Sequence, residues 1–209
     1  IDRKQAPPIV DAVNFNLQLK PYQGYTLRNG VPVYAVNAGA EDVIQLEWVF
    51  FFDISQEEQN LVAATTNFLL RNGTNTKTAF QINEHFEYYG AYVNRACYNE
   101  TAMISMHCLS KHIGELLPVV KEMITESTMP SEELAIYQQN MKQRLKVSLK
   151  KSDFVAGRLI DVYLYGEKHP YGKYSSAEDF DALNRDQLLH FYNEYYTQGK
   201  LILFVAGKL

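Results

Sequence analysis

The apolar positions of this chain change their period several times, alternating in twos in some stretches and recurring every three or four residues in others. Tyr25-Thr26-Leu27-Arg28 and Val31-Pro32-Val33-Tyr34-Ala35-Val36 flank Asn29-Gly30, a dipeptide that tolerates positive φ and predicts a tight hairpin turn. Ile44-Gln45-Leu46-Glu47-Trp48-Val49-Phe50-Phe51-Phe52 begins by alternating and ends fully apolar, which predicts a third strand running into a buried region. Tyr92 to Tyr98 and Thr101 to Leu109 alternate like the arms of a second antiparallel hairpin, and Leu201 to Ala206 reads as a closing strand.

Between the strands the pattern turns helical. Ser55-Gln56-Glu57-Glu58 is a capping box that predicts a helix from about Gln56 to Arg71, stopped at Gly73. A second box, Thr78-Ala79-Phe80-Gln81, opens a shorter helix ending at Gly90. Lys111 to Ser127 is amphipathic with Pro118 inside it, and Leu134, Tyr137, Met141, Leu145 and Leu149 line one face of a long helix introduced by Pro130 and Ser131. Further helices are expected from Phe154 to Tyr165 and, capped by Asn184 and Gln187, through Tyr196, with a loop over Gly166–Gly172. The order is strands, helices, strands, helices, strand, so the expected fold class is α+β, an antiparallel-rich sheet covered by helices. No linker or repeat divides the chain, and 1–209 reads as one domain.

Composition narrows the function. Hydrophobic residues make up 46% of the 209, enough for a well-buried core. Twenty basic against twenty-four acidic residues, with no basic run, argue against nucleic acid as a partner. The longest apolar run, Trp48–Phe52, is far short of a membrane span, so a soluble chain is expected. Ile1-Asp2-Arg3-Lys4-Gln5 is polar and lacks the apolar core of a secretory signal, which points to the cytoplasm. Cys97 and Cys108 fall at different levels of the predicted second hairpin and read as two buried thiols.

Four segments, in order, resemble the pitrilysin/insulinase family of zinc peptidases, which includes the mitochondrial processing peptidase subunits. They are the hairpin Leu27–Val33, the helix end Phe68-Leu69-Leu70-Arg71-Asn72-Gly73-Thr74, the stretch Gly90–Cys97 leading into Glu100-Thr101-Ala102, and Leu164–Gly172. The resemblance covers nearly the whole chain. It implies a metallohydrolase-type domain that forms the first half of a longer, duplicated protein.

Active members of that family carry H-x-x-E-H on the first long helix, where residues i and i+4 share a face and bring two imidazoles to one zinc beside a carboxylate base. Placed on this chain by the resemblance, the motif falls on Asn67, Leu70 and Arg71. Asn67 is a poor zinc ligand, Leu70 cannot accept a proton, and Arg71 puts a permanent cation where the metal would sit. The family's third ligand, a glutamate on a later helix, falls near Arg144, and no Asp or Glu occurs from Leu134 to Ser152. These degenerate positions imply that the zinc is absent, that no metal or other cofactor replaces it, and that the domain does not catalyse hydrolysis by itself.

Other chemistries lack their signatures. His85, His107, His112, His169 and His190 never stand as H-x-x-x-H and are expected to be structural or exposed. Neither a nucleophile elbow G-x-S-x-G nor a phosphate-cradling G-x-x-x-x-G-K occurs. By the resemblance, His169 before Pro170 is a packing or hydrogen-bonding loop residue. A peptide would lie as an added strand near Gly90, Asn94, Arg95 and Ala96, although Arg95 is inserted before Ala96 relative to the family's segment; Asn94 serving only its own hairpin is the simpler alternative. Tyr88, Tyr89, Tyr92 and Tyr98 either line such a cleft or pair across strands. The function expected is that of a non-catalytic family member pairing with a homologous peptidase domain or active subunit and helping to hold peptides. The alternatives are a structural subunit without peptide contact, and part of a zinc metalloendopeptidase whose active site lies outside this chain.

Overall fold

In the computed structural model of the chain, residues 18–53 and 61–209 are described. The capping box predicted at Ser55–Glu58 lies outside them. Strands β1 (Gln23–Thr26), β2 (Pro32–Asn37) and β3 (Val43–Phe51) lead into helices α1 (Val62–Leu69) and α2 (Ala79–Tyr88). The hairpin β4 (Tyr92–Cys97) and β5 (Thr101–Leu109) follows, then α3 (Ile113–Thr125), α4 (Ser131–Ser148) and α5 (Ser152–Tyr165). Helices α6 (Ala177–Ala182) and α7 (Arg185–Phe191) precede a π-helical turn at Tyr192–Thr197 and the last strand, β6 (Lys200–Gly207).

The strands form one six-stranded sheet in the order β1-β2-β6-β3-β5-β4. All neighbours are antiparallel except β2 and β6, which run parallel with Val33 beside Leu203 and Ala35 beside Val205. Strand β3 keeps a period of two to its end: Ile44, Leu46, Trp48 and Phe50 are buried, and Gln45, Glu47, Val49 and Phe51 are half-buried on the other face. The buried row pairs with Cys108, Met106, Ile104 and Ala102 of β5. Against this face pack Leu69 and Leu70 at the end of α1, Leu116, Val120 and Met123 of α3, and Leu188 of α7, all fully buried or nearly so. Each such side chain contributes about 1.5–3 kcal/mol through its removal from water.

Local rules account for the element ends. Thr78 and Gln81 cap α2 reciprocally, as do Asn184 and Gln187 for α7. The same device at Ser176 and Asp179 starts α6, a helix absent from the sequence-based expectation because its box closes with the shorter Asp. The first hairpin differs from expectation. Leu27 and Val31 close a three-residue loop in which only Gly30 takes positive φ, at 84°, while Asn29 accepts from the Val31 N–H through its side chain. That is the turn-plus-bulge solution. No disulfide joins Cys97 to Cys108; Cys108 is buried and Cys97 half-buried. Among the described residues no helix is long and apolar enough to cross a membrane.

One polar knot ties the loop between α1 and α2 to α3. Glu122 receives the Lys77 ammonium at 2.6 Å and the hydroxyls of Thr74 and Thr76. Burial alone would raise its pKa, but these donors hold the carboxyl at about 2 against an ordinary 4.5. The folded value lies below the unfolded one, so the stabilisation is complete above roughly pH 5 and is lost as pH falls from there toward 2. Urea unfolding of the parent should therefore weaken more between pH 5 and pH 3 than that of Glu122→Gln. Equal slopes would show that the knot does not couple to folding.

Candidate functional site

Strand β4 is one of the two edge strands of the sheet; α1 packs on it and α4 packs on α1. The three elements enclose a solvent-open cavity of about 340 Å³ whose lining includes Asn67, Phe68, Arg71, Asn94, Arg95, Tyr137 and Arg144. The structure thus brings together three of the four positions where the resemblance sets the zinc machinery. Leu70 is the exception. It is 0% exposed and belongs to the hydrophobic core: still helical at φ −51° and ψ −34°, with its N–H on the Thr66 carbonyl, it lies about 100° round the helix from Arg71, on the side that faces the core.

Asn67 is 2% exposed and has become a joint. Its Nδ2 donates to the Ala96 carbonyl at 2.7 Å, and its Oδ1 accepts from the Tyr196 hydroxyl at 3.1 Å. Helix, edge strand and π-helical turn therefore meet at one amide. Tyr196 reaches it because the wider π turn sets Tyr192 and Tyr196 both inward. Burial pushes the Tyr196 phenol well above its usual value, so it remains a neutral donor.

Arg71 is half-buried and donates Nη1 to the Val93 carbonyl at 3.1 Å. Arg95 reaches back from β4, donating to the Phe68 carbonyl and lying over the Phe68 ring at 4.7 Å from its centroid. Burial first, and the neighbouring Arg71 charge second, bring the Arg95 guanidinium down to about 10. Arg144, exposed on α4, completes the lining. Among the described residues none of these arginines has a carboxylate within ion-pair distance.

A zinc ion does not fit this lining. Asn67 is spent on two structural hydrogen bonds, and three guanidiniums would repel a dication. No group of three His, Cys, Asp or Glu that could hold a metal exists among the described residues. The histidines are scattered: His85 contacts the Glu115 carbonyl at 3.0 Å, His190 lies beside Glu194, and His169 accepts from the Tyr171 N–H at 3.1 Å and stacks on Tyr165.

The residues expected to hold peptide divide. Asn94 and Arg95 line the cavity; Ala96 is not part of the lining, and its carbonyl is held by the Asn67 amide. Gly90 does not. It closes α2 at φ 62°, with its N–H on the Glu87 carbonyl, so its role is to turn the chain into β4. Two β4 carbonyls, Val93 and Ala96, already accept from Arg71, just past α1, and from Asn67 of α1, which limits how an added strand could pair there. Tyr88, Tyr92 and Tyr98 are exposed and stand outside the cavity. Tyr137 and Phe68 were not expected here; both fall in apolar helical periods, a signal that says core and not cleft.

These features define a one-sided α+β domain with a cleft between its edge strand and two helices. No known protein-family model matches the chain. It is 25% identical over 88% of its length to an uncharacterized zinc protease of Bacillus subtilis, YmxG, and 24% identical over 94% to an uncharacterized zinc protease of Rickettsia felis. Among solved structures, the peptidase M16 inactive domain from Pseudomonas fluorescens is 25% identical over 90% of the chain, with a TM-score of 0.83. A protease from Helicobacter pylori, 15% identical with a TM-score of 0.78 over 91% of the chain, shares the fold. The chain has the fold of M16-type peptidase domains and resembles zinc proteases in sequence. It spans about half the length of the curated relatives it matches, 46% and 47% of the first two, and 47% of the Pseudomonas chain.

Proposed function

We propose that this chain is a non-catalytic M16-type domain that pairs with a homologous domain or active subunit and helps hold the peptide that partner cleaves. The observation that carries the reading is the lining of the α1–β4–α4 cavity. Where hydrolysis would need two imidazoles and two carboxylates, it offers a bonded amide and three arginines. The likeness to the Pseudomonas inactive domain supports it. The chain covers about half of its relatives, which supports a partner that is either the other half of the same polypeptide or a separate subunit; by the sequence resemblance this chain is the first half of a duplicated protein. The names of the zinc-protease relatives favour one alternative, a metalloendopeptidase whose active site lies beyond these residues.

Two measurements test the proposal. Metal analysis of the purified chain after incubation with zinc should find far less than one equivalent. Co-expression with a homologous domain bearing H-x-x-E-H should yield a complex that cleaves peptide with a lower KM than the partner alone. A chain that binds one zinc and hydrolyses peptide unaided overturns the proposal. A complex whose KM equals that of the partner alone leaves only a structural role.

A further inference from the structure

The same cavity has a chemistry of its own, which presupposes the peptide-holding role. Arg71, Arg95 and Arg144 converge on it from three elements, in a chain whose net charge is −4. Two of the three are held in place before any ligand arrives. The Arg95 guanidinium is fixed by the Phe68 carbonyl, the Phe68 ring and, at 3.5 Å, the Asn72 amide oxygen. Arg71 is fixed by the Val93 carbonyl at 3.1 Å. Among the described residues these contacts use only the Nη1 of each, leaving most of the five N–H donors of each fork to a ligand. Like charges sharing a half-buried cavity repel, and an anion between them would remove that repulsion as well as fill the forks.

We propose that this cavity captures a carboxylate of a peptide, an acidic side chain or the C-terminal carboxylate, and so selects acidic peptides for the assembly. The size suits it, since about 340 Å³ is at the small end of ligand pockets and accommodates one side chain or chain terminus rather than a whole ligand. The surroundings favour a peptide over a free anion. The cavity lies along the outer strand of a sheet, where the remaining backbone groups of β4 can pair with an extended segment. The planar forks match a carboxylate in bidentate fashion, and the rings of Phe68 and Tyr137, 4.7 Å apart, offer an apolar wall to the ligand's stem.

The test uses the full chain and three short N-acetylated peptides of one neutral sequence, followed by fluorescence anisotropy. One ends in a free carboxylate, one is amidated and carries a central glutamate, and one is amidated and neutral. At least one acidic peptide should bind about tenfold more tightly than the neutral one. That preference should shrink severalfold in Arg144→Gln, which changes an exposed side chain at the cavity rim, and in Arg71→Gln. Lys150→Gln, an equal loss of charge outside the cavity, should change nothing. The first two peptides tell terminus from side chain. Equal binding of all three overturns carboxylate capture and leaves peptide holding intact, whereas binding of none overturns both. A preference that survives in both arginine variants overturns the location.

Discussion

Leu70→Glu is expected to cost the fold about 4 kcal/mol or more, enough to unfold a domain of ordinary stability. Leu70 is 0% exposed and packs in the core formed by the sheet and its helices. Removing its side chain forfeits about 2–5 kcal/mol by the behaviour of buried leucines, and a carboxylate there adds the penalty of a charge with no donor around it. The carboxylate escapes only by taking up a proton, so the variant should recover some stability at acid pH. Urea unfolding of the parent, Leu70→Glu and Leu70→Ala reads both effects. A Leu70→Glu chain within about 1 kcal/mol of the parent would mean that position 70 can face the cavity after all. The same result bears on Asn67→His, Leu70→Glu, Arg71→His, which writes H-x-x-E-H into α1: the motif is expected to damage the fold before it assembles a metal site. No stoichiometric zinc is expected in that variant, because the carboxylates of α4, Glu132 and Glu133, sit in its first turn with Glu133 bonded to Asn72, and none lines the cavity.

Asn67→Ala should be the second most costly substitution, at about 2–4 kcal/mol. It deletes a buried amide and removes the bonds that amide makes to the Ala96 carbonyl and the Tyr196 hydroxyl. Asn67→Asp keeps the shape and the acceptor but loses the donor, and it introduces a charge beside an oxygen. It should fall close to Asn67→Ala, which separates a bonding role from a merely steric one. Tyr196→Phe should cost less, about 1 kcal/mol, because Asn67 keeps its bond to β4. The Asn67→Ala and Tyr196→Phe effects should not add, since both break the same joint. Additive effects in the double variant would show that the two residues do not act together.

Much of the scaffold could be read from neighbours in sequence. The boxes at Thr78–Gln81 and Asn184–Gln187 announce their helices, and the box at Ser176–Asp179 obeys the same rule with a shorter carboxylate. The second hairpin and the period of β3 are equally local. The site was legible only in outline. Spacing places Asn67, Leu70 and Arg71 on one broad helical face, but neighbours on a helix stand about 100° apart, so Leu70 falls on the core side of that face while Arg71 remains at the cavity. Asn67 looks like a ligand lost, and its actual employment depends on Tyr196, 129 residues away. Arg95 reads as an insertion in a peptide groove; its reach to Phe68 and its meeting with Arg71 arise from the packing of α1 on β4. Such long-range pairings leave no periodic trace in a single sequence.

The last strand in the chain sits in the middle of the sheet. Strand β6 separates β2 from β3, pairing with one in parallel and with the other in antiparallel fashion. Until residues 200–207 emerge and insert, the β1–β2 hairpin has no other neighbour among the described strands and the edge of β3 that pairs with β6 is bare. During synthesis the sheet can therefore close only after β6, which follows every other strand in sequence, has emerged. In that interval the exposed edges of β2 and β3 form a slot of one strand's width, open to the wrong strand as readily as to the right one.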